Sequence, residues 1–275
     1  MGWIALSAAA FGAMAILARF AYAAGVDVHG LLLLRFAIAT AVLCAVMVLR
    51  GRSWPRGRTL VAAVLMGAIG YVGQAFCFFS ALEFASAGLV ALLLYVYPTL
   101  VCLLCAAFPG ERITAARAAV LAASFAGVAL TLGGGRGSGT GILLGLAAAV
   151  FYAVYIVVGA RELRHVDALA ATTVVCLSAA VVLGAATAFH APRWPGSAAG
   201  WSAVIAIGLA CTVLPILAFF AGLKRVGPSR ASIVSTLEPV VTVLLAWIVL
   251  GETLSFVQLG GGALVLASAA RLSSR

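Results

Sequence analysis

Residues 86–108 read SAGLVALLLYVYPTLVCLLCAAF, twenty-three positions without a charged side chain. As a helix the run rises about 35 Å, enough to cross the roughly 30 Å hydrocarbon core of a bilayer. Working outward, blocks of the same length recur along the whole chain. They divide it into expected spans near 2–23, 29–49, 59–81, 86–108, 114–133, 139–160, 167–189, 199–223, 228–250 and 255–272. Turn and charge clusters separate them: Arg50 to Arg56, Gly110-Glu111-Arg112, Gly133 to Gly141, Arg161 to Asp167, Pro192 to Gly196, Gly227-Pro228 and Gly251-Glu252. Pro228 suits a first helical turn. Ser255 and Gln258 have the spacing of a capping box.

Composition agrees. Hydrophobic residues make up 65% of the 275 positions and charged residues 9%, against about 25% charged in soluble domains. The first run, from Gly2, has no basic segment before it and reads as a span, not a cleavable leader. The hydrophilic stretches are too short for a soluble catalytic domain. The net charge of +10 is scattered over short loops, so a membrane surface explains it and nucleic acid does not. Cys44, Cys77, Cys102, Cys105, Cys176 and Cys211 all fall in apolar runs; they read as small core residues, with no disulfide framework and no metal site.

Ten spans permit a charge test. With the N-terminus cytoplasmic, thirteen Lys and Arg fall on the cytoplasmic side: Arg50, Arg52, Arg56, Arg58, Arg112, Arg117, Arg161, Arg164, Lys224, Arg225, Arg230, Arg271 and Arg275. The far side keeps three, Arg19, Arg136 and Arg193, while Arg35 lies inside a span. Both termini are therefore expected in the cytoplasm.

A shift of 141 residues superposes the halves: Phe78-Phe79 on Phe219-Phe220, Pro98 on Pro239, Leu103-Leu104 on Leu244-Leu245 and Gly110-Glu111 on Gly251-Glu252. Five spans per copy is an odd number, so the second copy enters the membrane the other way up. The charges follow: Glu83-Phe84 becomes Lys224-Arg225, and Arg112 becomes Thr253. The expected fold is all-α and polytopic: ten transmembrane helices as two inverted five-helix repeats, 1–135 and 136–275, around a central cavity. That symmetry belongs to secondary transporters, whose sites lie near the midplane between repeats.

Candidate substrate-binding residues at that depth are Tyr71, Gln74, Phe78, Tyr95, Tyr97, Tyr152, Tyr155, Thr212, Ser235 and Glu238, with Ser232 and Thr236 beside them. Interhelical hydrogen bonding is the competing reading for each. Pro98 and Pro239 free the carbonyls of Leu94 and Ser235, which then need other partners. With Pro215 they are candidate hinges, and a packing kink is the alternative. Glu238 is the one acid deep in a span, a candidate for proton coupling or for a neutral acid bonded near Pro239. Arg35 reads as snorkelling, paired or ligand-binding. Glu111 and Glu252 read as loop-fixing groups. His29, His165 and His190 fall in loops, and no nucleophile–base pair shares a depth, which counts against an enzyme. No metal or cofactor is expected. The wall is polar, aromatic and poor in fixed charge, which suits a neutral or zwitterionic solute.

The Leu237-Glu238-Pro239 segment, the run Leu250-Gly251-Glu252-Thr253-Leu254 and its counterpart Gly110-Glu111-Arg112-Ile113-Thr114 resemble the EamA-type branch of the drug/metabolite transporter superfamily, across essentially the whole chain. Within it the likeness is to YddG-type amino-acid exporters of bacterial inner membranes. The resemblance implies two packed five-helix bundles around a central cavity and export by alternating access. With the uncharged, tyrosine-rich midplane it makes amino acids or similar small zwitterions the expected cargo, and a monomer in the lipid bilayer is the expected working unit. Other metabolites or toxic cations are the alternative cargo; a channel is a further alternative. Small multidrug-resistance relatives carry a coupling glutamate in their first span. Here that span reads Ala13-Met14-Ala15-Ile16-Leu17, which leaves the substrate's own gradient as a possible driving force.

Overall fold

The computed structural model describes residues 1–106, 114–133, 138–226 and 234–273, and no strand occurs among them. In chain order the helices are α1 Gly2–Ala23, α2 Val28–Leu49, α3 Gly57–Phe84, α4 Ala87–Cys105, α5 Ala118–Thr131, α6 Gly139–Glu162, α7 Ala168–Ala186, α8 Ala198–Phe219, α9 Leu237–Leu250 and α10 Phe256–Arg271. Seven of these are long and apolar enough to cross a membrane; α5, α9 and α10 are shorter apolar helices. Gly110, Glu111, Arg112, Arg136, Pro228, Arg230, Ser232 and Arg275, given roles above, lie outside the described residues, as do the side chains of Arg117, Phe220 and Lys224.

Short polar side chains start the helices by accepting the orphan N–H groups of the first turn. Asp27 accepts from Gly30 N at 2.8 Å. Ser86, Ser138, Asp167 and Ser197 do the same for α4, α6, α7 and α8. Both halves of the Ser255–Gln258 box form, at 2.9 and 3.2 Å. His29 is corrected from loop to helix: it is buried in the first turn of α2.

Interiors this apolar cannot be sorted by polarity, so close approach of small residues sets the packing. α5 packs on α10, where a Cβ on Gly127 would meet the Gly261 carbonyl at 2.7 Å. A Cβ on Gly12 would lie 2.6 Å from the Glu238 carbonyl, so α1 and α9 meet there at backbone distance. The remaining large contacts are α2 with α7, α3 with α6, α3 with α7, α1 with α8, α2 with α8, α4 with α6, α1 with α9 and α4 with α9. Large apolar side chains such as Ile69, Leu143, Val181, Trp247 and Ile248 face outward.

Four helices are interrupted. α3 carries a π turn at Met66–Tyr71 and α8 one at Leu209–Val213, overlapping under the 141-residue shift. α4 loosens at Tyr95 and Val96, three and two residues before Pro98, and the chain turns at Thr236, three before Pro239. α1 breaks at Ala13. Such wide turns leave backbone groups for side chains or ligands and recur at functional sites.

The two ends of the bundle differ. At one, Arg58 pairs with Glu162 at 2.8 Å and Arg52 with Asp167 at 3.4 Å. At the other, Arg19 donates through Nη1 to the Leu82 carbonyl at 2.6 Å and pairs with Glu252 at 3.5 Å. Glu252 also accepts from Gly88 N at 3.4 Å, which fits the loop-fixing role read from sequence. Asp27 there meets His190 at 3.0 Å and accepts from Arg193 N. Partial burial pushes the Asp27 carboxyl up, but the Gly30 N–H, His190 and the Arg193 N–H outweigh it and hold it below the usual carboxylate range.

Candidate functional site

The interruptions of α1, α3 and α4 and the turn before α9 border a cavity of about 710 Å³ between the halves, within the range of small-molecule sites; the π turn of α8 lies behind it. Its wall reaches Cys105, Ile156, Thr172 and Phe219, toward the end where Arg58 and Glu162 pair. The Arg19–Glu252 contacts lie at the other end of the bundle, off the cavity wall.

Nine of the ten candidate residues line it: Tyr71, Gln74, Phe78, Tyr95, Tyr97, Tyr152, Tyr155, Ser235 and Glu238. Pro98 and Pro239 line it too. Thr212 does not; it is fully buried behind the wall, where its hydroxyl donates to the Ile207 carbonyl at 2.8 Å across the π turn. Pro215 also lies off the wall, just after that turn, with its carbonyl accepting from Ser7 Oγ at 2.8 Å. Cys102 and Cys105 face the cavity, where the sequence suggested core filling.

Five tyrosines form a continuous strip. Ring centroids run Tyr71 to Tyr155 at 5.8 Å, Tyr155 to Tyr152 at 6.3 Å, Tyr152 to Tyr97 at 4.6 Å and Tyr97 to Tyr95 at 5.6 Å. An ionisable group stands at each end of the strip. At one, Tyr95 Oη lies 2.7 Å from the Ser235 carbonyl and 3.0 Å from Glu238 Oε2. The Ser235 carbonyl is the group that Pro239 deprives of its helix partner. A phenol carries a single proton. Donation to Ser235 therefore leaves the Glu238 contact a hydrogen bond when Glu238 is the neutral acid and itself donates to Tyr95 Oη.

At the other end is Arg35, missing from the sequence-derived set. It is 3% exposed and lines the cavity. Its Nε donates to Thr212 Oγ1 and its Nη2 to Tyr71 Oη, both at 3.0 Å. The guanidinium lies 5.0, 5.6 and 5.4 Å from the ring centroids of Phe36, Tyr71 and Phe79. Depth alone left Arg35 ambiguous. The signal that could have placed it is that Tyr71 and Thr212 stand 141 residues apart, so a group bonded to both sits between the repeats.

The chain matches the EamA-like transporter family over residues 1–133 and again over 139–274. It is 31% identical over 184 residues to the aromatic amino acid exporter YddG of Ancylobacter novellus, covering 64% of this chain and 63% of that protein. It is 30% identical over 261 residues to a probable terminal-alkyne amino-acid exporter of Streptantibioticus cattleyicolor, covering 91% and 86%. A solved crystal structure superposes with a TM-score of 0.70 at 28% identity, over 97% of this chain and 94% of that one.

Proposed function

The chain belongs to the EamA-like transporter family, and from that premise we propose that it exports amino acids and similar small zwitterions through the central cavity by alternating access. It is a multi-pass membrane transporter. We read the architecture as ten spans in two inverted five-helix repeats, 1–135 and 136–275, in a bacterial inner membrane with both termini cytoplasmic and the monomer as working unit.

The observation that carries this reading is the composition of the wall. Phe11 and Tyr152, Met14 and Tyr155, Ala15 and Ile156, Phe78 and Phe219, Tyr97 and Glu238, Pro98 and Pro239, and Val101 and Thr242 all line the cavity, and each pair is 141 residues apart. A cavity walled by equivalent positions of both halves lies on their pseudo-symmetry axis, where a rocking transporter holds its substrate. The two family matches divide the chain close to the same boundary. The cavity reaches toward the Arg-rich end, which the charge bias makes cytoplasmic, so substrate loads from inside. Exchanging the conformations of the halves about Pro98 and Pro239 would then expose it outside.

The tyrosine strip favours solutes with aromatic or extended apolar side chains, and the exporter names of two relatives agree. The same ring faces would also attract an organic cation, which is the second reading. Proteoliposomes loaded with labelled phenylalanine, tyrosine, leucine, lysine and tetraphenylphosphonium decide between them. Efflux of the zwitterions is expected; efflux of the cation alone makes the second reading correct, and efflux of none refutes both.

A further inference from the structure

We propose that Arg35 is the carboxylate subsite of the cavity, so that cargo is selected for one carboxylate next to an apolar or aromatic body. The proposal deepens the export reading, on which it rests, by naming the group that distinguishes the substrate.

A guanidinium stays protonated in proteins and is costly to bury in a span without a counter-charge. Arg35 is 3% exposed, and no acid among the described residues forms an ion pair with it. Its neighbours are two neutral oxygens and three ring faces. These hold the group in place without neutralising it. They orient Nε toward Thr212 and Nη2 toward Tyr71, while the residue lines the cavity. The planar fork of arginine binds carboxylates through two parallel hydrogen bonds, and a desolvated wall strengthens them.

Comparing the halves argues against a purely structural strut. The position 141 residues on from Arg35 is Cys176, fully buried on α7, the helix that packs against α2. The same packing site is filled by a small apolar residue in one copy and by a cation in the other. Packing requires no charge there; an anionic ligand does. A solute seated with its carboxylate on Arg35 lays its side chain against Tyr71 and Phe79 at the start of the tyrosine strip.

The test uses the purified full-length protein in detergent and three probes of one shape: L-phenylalanine, 3-phenylpropanoate, which lacks the amine, and phenethylamine, which lacks the carboxylate. Binding is read by equilibrium dialysis of labelled probe. Wild type is expected to bind the two carboxylates at least about tenfold more tightly than phenethylamine, the order of one charge-assisted bidentate contact. Arg35→Gln is expected to abolish that preference. Arg35→Lys, which keeps the charge without the fork, is expected to retain part of it. If Arg35→Gln does not fold, the wild-type ranking and Arg35→Lys still decide. The proposal is overturned if wild type binds phenethylamine as tightly as 3-phenylpropanoate, if Arg35→Gln keeps the carboxylate preference, or if none of the three binds. Liposome efflux, measured separately, shows whether the export reading survives that failure.

Discussion

Removing the Tyr95 hydroxyl as Tyr95→Phe tests the proton count at the α4–α9 contact. Tyr95 is 3% exposed, and its oxygen serves both the Ser235 carbonyl at 2.7 Å and Glu238 at 3.0 Å. Phenylalanine preserves the ring packing on Tyr97 and deletes both contacts. Interhelical hydrogen bonds in membranes average about 0.6 kcal/mol and reach about 1.7. The Ser235 carbonyl has already lost its helix donor to Pro239, which places this bond toward the upper end. A loss of about 1–2 kcal/mol is expected, measured by unfolding in mixed micelles titrated with dodecyl sulfate and followed by circular dichroism. Glu238→Gln supplies the second leg. If Glu238 is the neutral acid donating to Tyr95, the Gln amide donates in its place and the substitution costs under about 0.5 kcal/mol, whereas Glu238→Leu, which cannot donate, costs about 1 kcal/mol or more. A Tyr95→Phe effect below about 0.3 kcal/mol, or Gln costing more than Leu, would refute the arrangement.

Three further outcomes are expected. A membrane-impermeant maleimide should label Cys105 from the side carrying Arg50–Arg58 and not from the other, with Cys105→Ala as control; the reverse pattern would show that the cavity opens toward the Arg19–Glu252 end. Gly12→Val should separate α1 from α9, because even its Cβ would lie 2.6 Å from the Glu238 carbonyl and 2.9 Å from Val241 Cβ. That overpacking should cost about 1–3 kcal/mol in the same micelle titration, and a neutral result would mean that the two backbones are not in contact. Asp27→Asn should reduce thermal stability at about pH 5, and the reduction should shrink as pH falls further. The Asp27 carboxyl is depressed in the folded state, so its contribution is complete above the unfolded carboxylate value and disappears as pH falls through the lower folded one. A mutant difference that grows below pH 4 would contradict that sign.

Apolar block length and turn chemistry located the described helices to within a few residues except at the start of α9, expected at 228 and described from Leu237, because in a membrane those two properties carry most of the structural information. Tyr71, Tyr95, Tyr152 and Glu238 were legible as wall residues for a similar reason: polar groups at mid-depth have few places to face. Thr212 met that criterion and still lies behind the wall, since its hydroxyl is consumed by the Ile207 carbonyl in a π turn. No local pattern in LACTV announces that turn. Arg35 was left undecided for the opposite reason. Its seven-residue distance from the start of α2 allows snorkelling as readily as burial, and only the tertiary meeting of Tyr71 with Thr212 selects between them.

The repeat is most informative where it fails. Proline is kept at 98 and 239, and phenylalanine at 78 and 219, and all four line the cavity. Chemistry is placed where the copies differ: Tyr97 against Glu238, Tyr71 against Thr212, Arg35 against Cys176. A symmetric cavity would present each polar group twice and could not orient an asymmetric solute. With Arg35 at one end of the tyrosine strip and Glu238 at the other, the wall has a direction. On the proposal that Arg35 takes the carboxylate, a solute bearing one carboxylate has one preferred orientation along that wall.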